Sequence, residues 1–449
     1  MRFRLSVLVG LCLFTTTGIT WAQSASVPLV TPKATSTKDI SFNNLNSPDE
    51  SHVGLTLAEA LALAIKNNPS LAAFAEEIHA KNAAALQAGL LPNPDLAVEV
   101  ENFSGENELE GFDGAEITIA LSQMVELGGK RGKRYQVATM EKDLAGWDYQ
   151  TKNLDVLAST AKTFIQVLAA QQRQTQTEEL VRLSEQTLAA VTARVEAGKV
   201  PPLEQTRAQV ELAKTRTEAN KALRELKATR ERLVAFLGTD QPEFRQAIGD
   251  LAIINPVPTE EEFFSLLKNN PDLARWDTEI NQGEAAVNLA RAQAIPDLTF
   301  SLGVRNFQES DSNALVAGFE LPLPLFDRNQ GGVRQARATL EKARHERRAA
   351  ETEALAGLAE AYQSLSASHA EATTLRDEIL PAAQSAFEAS EFGYREGKFN
   401  FLQMLDAQRT LFEIKGQYLQ ALGTYHQSRI EVERLIGSPL HDLLKSANK

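Results

Sequence analysis

Apolar positions along this chain follow two periods, and the changes between them mark out its elements. From 131 to 197 there are about 65 residues without a proline. Leu154, Ala161 and Leu168 are spaced by seven, with Leu157 and Phe164 between them, and Val181, Leu188 and Val195 continue the spacing. The pattern predicts one helix on the order of 100 Å long carrying a coiled-coil seam. Its apolar stripe is too long for a compact core and must lie along other rods. Residues 331–396 repeat the pattern and predict a second long helix. Return helices are predicted after each: one at 203–237 with Leu212, Ala219, Leu226 and Leu233, another with Met404, Leu411, Tyr418, Tyr425 and Val432, both at spacing seven.

Between the helical stretches the period drops to two. Leu96, Val98 and Val100 alternate with Ala97, Glu99 and Glu101, and Ile117, Ile119 and Leu121 alternate with Glu116, Thr118, Ala120 and Ser122. Strands are therefore predicted at about 95–103 and 115–123. Leu298, Phe300, Leu302 and Val304, then Leu315, Ala317, Phe319 and Leu321, predict a second pair at about 297–306 and 314–322. Each pair reads as a hairpin with one apolar and one polar face. Two arrangements fit it: a half-buried sheet packed on helices, or a membrane-spanning hairpin with its carboxylates turned to water.

The punctuation repeats as well. Thr56 and Glu59 have capping-box spacing ahead of a short helix that Asn67-Asn68-Pro69 stops, and a second helix runs to Gly89 before Leu91-Pro92-Asn93-Pro94. Lys66-Asn67-Asn68-Pro69 returns as Lys268-Asn269-Asn270-Pro271, and Pro94-Asp95-Leu96 as Pro296-Asp297-Leu298, both displaced by 202 positions. Gly198-Lys199 returns as Gly397-Lys398 at 199. These offsets predict two structural copies, 55–256 and 257–443, followed by a tail at 444–449.

Composition adds compartment and exclusions. Residues 1–22, with Arg2, Arg4 and an apolar run at 5–14, read as an export signal, and 23–54 as an extended leader. Without Arg2 and Arg4 the chain has 44 basic against 59 acidic side chains, a net charge of −15, which argues against nucleic acid as a partner. The single cysteine, Cys12, lies in the signal, so the exported chain has no thiol for a disulfide or a metal, and Leu11 before it argues against a lipid anchor. No later run of 18 apolar residues exists, so the exported chain is either soluble or crosses a membrane as strands.

Candidate chemistry is sparse. The histidines at 52, 79, 345, 369, 426 and 441 never pair at helical spacing, so no metal site is expected. Gly129-Lys130-Arg131-Gly132-Lys133-Arg134 lacks the first glycine and the Ser or Thr of a phosphate loop. No nucleophile-base set appears, so neither an enzyme nor a cofactor is expected. Four strands cannot close a barrel, which takes about eight or more, and bare edges in lipid cost several kcal/mol per unsatisfied group. If the strands span a membrane, the protein is an oligomer. Helices of about 20 and 35 residues flank each hairpin and long helix. Stacked end to end they span about 83 Å, nearly the length of the long rod.

Leu91-Pro92-Asn93-Pro94 before an acidic strand, Leu127-Gly128-Gly129-Lys130-Arg131 at the start of the long helix, and Tyr394-Arg395-Glu396-Gly397-Lys398-Phe399 followed by Leu405-Asp406-Ala407-Gln408-Arg409 resemble the TolC-type outer-membrane efflux family, in particular its cobalt-zinc-cadmium resistance branch. The resemblance covers 55–443. It implies a mainly α fold with a small membrane β part: antiparallel coiled-coil helices forming an α-barrel in the periplasm, and four strands per chain in a shared trimeric β-barrel in outer-membrane lipid. It also implies a homotrimer, a periplasmic membrane-fusion adaptor and an inner-membrane, proton-driven pump of the resistance-nodulation-division type. The function so implied is a passive exit duct for heavy-metal cations. A duct for organic compounds or drugs, and an exported coiled-coil protein without a pore, are the alternatives.

The resemblance places Gly198, Lys199, Gly397 and Lys398 at the periplasmic tip, where an adaptor docks; by themselves the glycines are helix caps. Tyr394 and Asp406 match gate positions, and Gln403 stands where a second acid often occurs. A lone aspartate on a helix is otherwise simply solvated. Glu99, Glu101 and Glu116, on the polar faces of their strands, and the loop acids Glu106, Glu108, Glu110 and Asp113 would line a duct whose field attracts cations, although acidic loops also serve solubility alone.

Overall fold

A computed structural model describes residues 54–105, 111–239 and 244–438. The export signal at 1–22, the leader up to 53, the loop acids Glu106, Glu108 and Glu110, and the tail at 444–449 lie outside the described residues. Strand β1 (Gly54–Thr56) leads into α1 (Leu57–Asn67), whose capping box is formed as the spacing requires: the Glu59 N–H donates to Thr56 Oγ1 at 3.3 Å and the Thr56 N–H to Glu59 Oε2 at 2.9 Å.

Asn68 then caps α2 (Pro69–Ala88) through the Ser70 N–H, and its own amide donates to the Phe236 carbonyl at 3.2 Å. That carbonyl closes α4 (Pro202–Leu237), so the start of α2 is fastened to the end of α4. The other Asn-Pro does the same. Asn270 caps α6 (Pro271–Ala292) through the Asp272 N–H and donates to the Leu435 carbonyl at 2.7 Å, near the end of α9 (Phe401–Ile436). The repeated Asn-Asn-Pro is thus a joint between rods as well as a helix stop. Among the four orphan carbonyls at each return helix's end, one finds its donor there.

The first long helix, α3 (Lys130–Glu196), runs unbroken for 67 residues, about 100 Å. Its heptad residues Ala161, Phe164 and Leu168 are buried, and between Thr160 and Ala170 the helix is covered on nearly all sides by α1, α4, α9 and β4 (Gln246–Ile248), which pairs in parallel with β1. A short α5 (Glu260–Leu266) precedes α6. The second long helix differs from the uninterrupted 331–396 that its pattern predicts. It comprises α7 (Gln330–Thr374), one π turn at Leu375–Ile379, and α8 (Leu380–Arg395). Pro381 is the cause: it has no N–H, and its ring crowds the carbonyl four residues back, which the wider turn relieves.

Among the described residues the hydrophobic core is three clusters strung along the rods. The largest holds Phe164, Leu168, Leu233, Leu251 and Leu422; a second holds Phe263, Leu358, Leu365 and Ile436; a third, Val191, Ala208, Tyr394, Phe401, Met404 and Leu405, joins α3 and α4 to α8 and α9 near the turns. Arg434 on α9 bridges Asp155 of α3 at 2.7 Å and Asp272 of α6 at 3.3 Å.

The remaining strands, β2 (Asp95–Glu101), β3 (Glu116–Val125), β5 (Leu298–Phe307) and β6 (Ser312–Glu320), form one antiparallel sheet in the order β2-β3-β5-β6. The two hairpins therefore sit side by side, joined through β3 and β5, with β2 and β6 as edges that pair with no further strand among the described residues.

Candidate functional site

Register decides the two faces of the sheet. Leu96, Leu121, Leu302 and Ala317 stand opposite one another across the four strands, and so do Val98, Ile119, Val304 and Leu315. These rows form a continuous apolar face that no helix among the described residues covers: Leu315 is 82% exposed and Phe319 78%. A bare apolar sheet of this extent in water invites aggregation, whereas lipid solvates it. No helix among the described residues is long and apolar enough to cross a membrane.

On the opposite face lie Glu99, Glu101 and Glu116, as the alternation predicts. The structure adds a residue that the sequence reading missed. Arg305 of β5 places Nη2 3.0 Å from Glu101 Oε2, Nη1 2.9 Å from Glu116 Oε2, and Nε 2.9 Å from Thr118 Oγ1. Two of the three acids are therefore ion-paired, and Glu99 has no ion pair among the described residues. The available signal was Arg305 itself, a cation at a polar-face position of a strand opposite Thr118.

Where strands pass into helices, Lys130 at the start of α3 pairs with Asp297 at 2.8 Å, and the Leu127 N–H donates to the same carboxylate at 2.9 Å. Burial opposes ionisation of Asp297, but these bonds outweigh it and hold its carboxyl below the usual aspartate range. Arg134 is fixed bidentately to Glu126 at 2.6 and 3.1 Å and donates to the Ala88 carbonyl at 3.0 Å. The Gly-Gly-Lys-Arg-Gly-Lys-Arg run is thus a clamp between the two hairpins and α3, not an anion loop.

At the other end of the rods the two turns share one geometry. Gly198 (φ 67°) and Gly397 (φ 74°) adopt the left-handed conformation, and the following Lys199 and Lys398 N–H groups reach back to the carbonyls of Arg194 and Gly393 at 2.9 and 2.8 Å. Both lysine side chains are exposed. Gln403 closes a capping box with Asn400 at the start of α9, with bonds of 2.9 and 3.0 Å, so this glutamine has a local structural task. Asp406, one turn further, is exposed and makes no hydrogen bond or ion pair among the described residues.

Tyr394 is only 5% exposed and lies between the two helical hairpins. Arg194 of α3 stacks 4.5 Å above its ring and donates to its carbonyl at 2.8 Å, while the Tyr394 hydroxyl lies 3.5 Å from Glu204 of α4. Burial first, then Glu204, pushes the Tyr394 phenol above its ordinary range, so it stays a neutral donor. The structure brings Tyr394 to Arg194 and Glu204, which the sequence reading had not singled out, and does not join it to Asp406. A groove between α3, α8 and α9, lined by Leu183, Thr187, Phe387, Glu391 and Met404, runs up to this contact.

Among the described residues no group of three or more histidines and carboxylates is placed to hold a metal ion. His426 is half-buried, with Nε2 bonded to the Leu251 carbonyl at 2.9 Å, and desolvation lowers its pKa.

The family described as outer membrane efflux protein matches residues 60–239 and 265–438. The chain is 35% identical over 390 residues to the cobalt-zinc-cadmium resistance protein CzcC of Cupriavidus metallidurans, covering 87% of this chain and 92% of that protein. It is 28% identical over 310 residues to the nickel-cobalt-cadmium resistance protein NccC of Alcaligenes xylosoxydans xylosoxydans, covering 68% and 69%. The solved structure of CusC, 17% identical, shares the fold with a TM-score of 0.73 over 88% of this chain and 96% of that one. With long helical rods, a small amphipathic sheet and two matched segments that span most of its length, the chain belongs to the outer membrane efflux protein family.

Proposed function

We propose that three copies of this chain form the passive outer-membrane exit duct of a tripartite efflux system for heavy-metal cations. The observation that carries this reading is the four-stranded sheet, apolar on one face, acidic on the other and open at both edges. Three such sheets joined edge to edge supply twelve strands, enough to close a barrel, and closure satisfies backbone groups that lipid would leave bare. The rods continue the barrel as a tunnel. Similarity to CzcC and NccC, both named for metal resistance, supports the cargo.

In this reading Gly198, Lys199, Gly397 and Lys398 form the tip that a periplasmic adaptor docks, with the groove between α3 and α8 beside it, and an inner-membrane pump supplies the driving force. Tyr394, Gln403 and Asp406 belong to the gate region. To widen the tip, the hairpin of α3 and α4 must part from that of α8 and α9, which breaks the contact of Arg194 with Tyr394. In planar bilayers the wild-type duct should conduct weakly at rest. Asp406→Ala should raise resting conductance, and Arg194→Ala should raise it further; unchanged conductance removes the residue concerned from the gate. A strain lacking the gene should become sensitive to cobalt, zinc or cadmium; sensitivity to organic dyes alone would reassign the cargo.

A further inference from the structure

We propose that Arg305 is a selectivity residue that keeps the acidic wall of the duct from retaining divalent cations. The inference rests on the duct reading, because it concerns the face that would line the pore. Glu101 and Glu116 are direct register partners on β2 and β3, with their side chains on the same face. Opposed positions in an antiparallel pair place Cβ atoms about 4.5–5.5 Å apart, where two carboxylates repel each other unless a cation sits between them. Divalent cations, cadmium included, bind carboxylate oxygens with hydroxyl and amide oxygens as further ligands, and this layer offers two carboxylates with the Thr118 hydroxyl and Asn102 beside them.

Here the cation between them is the protein's own. The Arg305 guanidinium touches Glu101, Glu116 and Thr118 at once, at 3.0, 2.9 and 2.9 Å, so its fork occupies the space an ion would need. Arginine suits the task because its charge is permanent and its planar donors reach both carboxylates and the hydroxyl from one rigid group. It also arrives from β5, so the acids are matched only when the two hairpins pair. The wall stays negative through Glu99, which keeps a field favouring cations. The pair that would otherwise chelate them is filled, and a conduit has to release what enters it.

The test uses the full mature chain in planar bilayers and in detergent, with cadmium chloride as the probe at concentrations on the order of 0.1 mM, the weak end of the range for carboxylate sites. Wild-type conductance should not change on addition of cadmium. Arg305→Gln should lose about half or more of its conductance and, by equilibrium dialysis, bind about one further ion per chain, as expected for one new carboxylate site. Combining Arg305→Gln with Glu101→Gln and Glu116→Gln should abolish both effects. An Arg305→Gln duct that conducts and ignores cadmium overturns the proposal. So does a wild-type chain that binds cadmium and loses it on Glu101→Gln/Glu116→Gln, an arm that does not depend on the arginine variant folding. A wild-type chain that never conducts overturns the duct reading instead, and dialysis still judges Arg305.

Discussion

The two strand-to-helix junctions have the same backbone plan and opposite surroundings. Gly129 ahead of α3 and Asn329 ahead of α7 both adopt the left-handed conformation, at φ 68° and 52°. At the first, Lys130 is locked to Asp297 and Arg134 to Glu126. At the second, the Asn329 side chain donates to the Ala290 carbonyl and to Gln293 at the end of α6 and its N–H to Asp327, all without an ion pair; Arg334, 200 positions after Arg134, is exposed without an ion pair among the described residues; and Phe326 is 90% exposed. Asp95, the counterpart of Asp297 at 202 positions, is likewise exposed and unpaired among the described residues. The difference follows from position in the sheet. The first junction has β5 beside it, whereas the second lies beyond the open edge of β6. In the proposed ring, that edge and its apolar collar meet the next copy.

Breaking the satisfied junction should have the largest effect. Lys130→Met leaves Asp297 without its cation and should lower stability by about 2 kcal/mol, between the values for exposed and buried pairs, as read by thermal unfolding in detergent. Acid should narrow that gap. The Asp297 pKa is lowered in the folded chain, so its contribution is complete above the ordinary aspartate range and is lost as the pH falls through the folded value. Unfolding curves of wild type and Lys130→Met should therefore converge at acid pH. The turns at Gly198 and Gly397 should respond alike. Gly198→Ala and Gly397→Ala meet no neighbouring atom, so each should cost only the left-handed penalty, about 1 kcal/mol. A much larger loss at either would mean that its turn is packed against something else. Smallest of all, Gln330→Ala, at the position matching Lys130, should change stability of the chain by less than about 0.5 kcal/mol.

Local rules made most of the fold legible. Heptad spacing located α3, α4 and α9, alternation located the amphipathic strands, and glycine before lysine located the turns at Gly198 and Gly397, because each depends on residues within one or two turns of one another. Pro381 shows the limit of reading period alone: the stripe continues across it, yet its missing N–H forces a π turn. The acids Glu99, Glu101 and Glu116 were readable as a polar face, but their neutralisation was not, since Arg305 lies 189 residues from Glu116 and meets it only through the β3 and β5 register. Asn68 with Phe236, Leu127 with Asp297 and Arg194 with Tyr394 are joined across 168, 170 and 200 residues in the same way. Periodicity and caps are properties of neighbouring residues, so the sequence by itself determined the rods, hairpins and turns. Which charge faces which is set by how those rods and hairpins dock, and only the tertiary structure decided that.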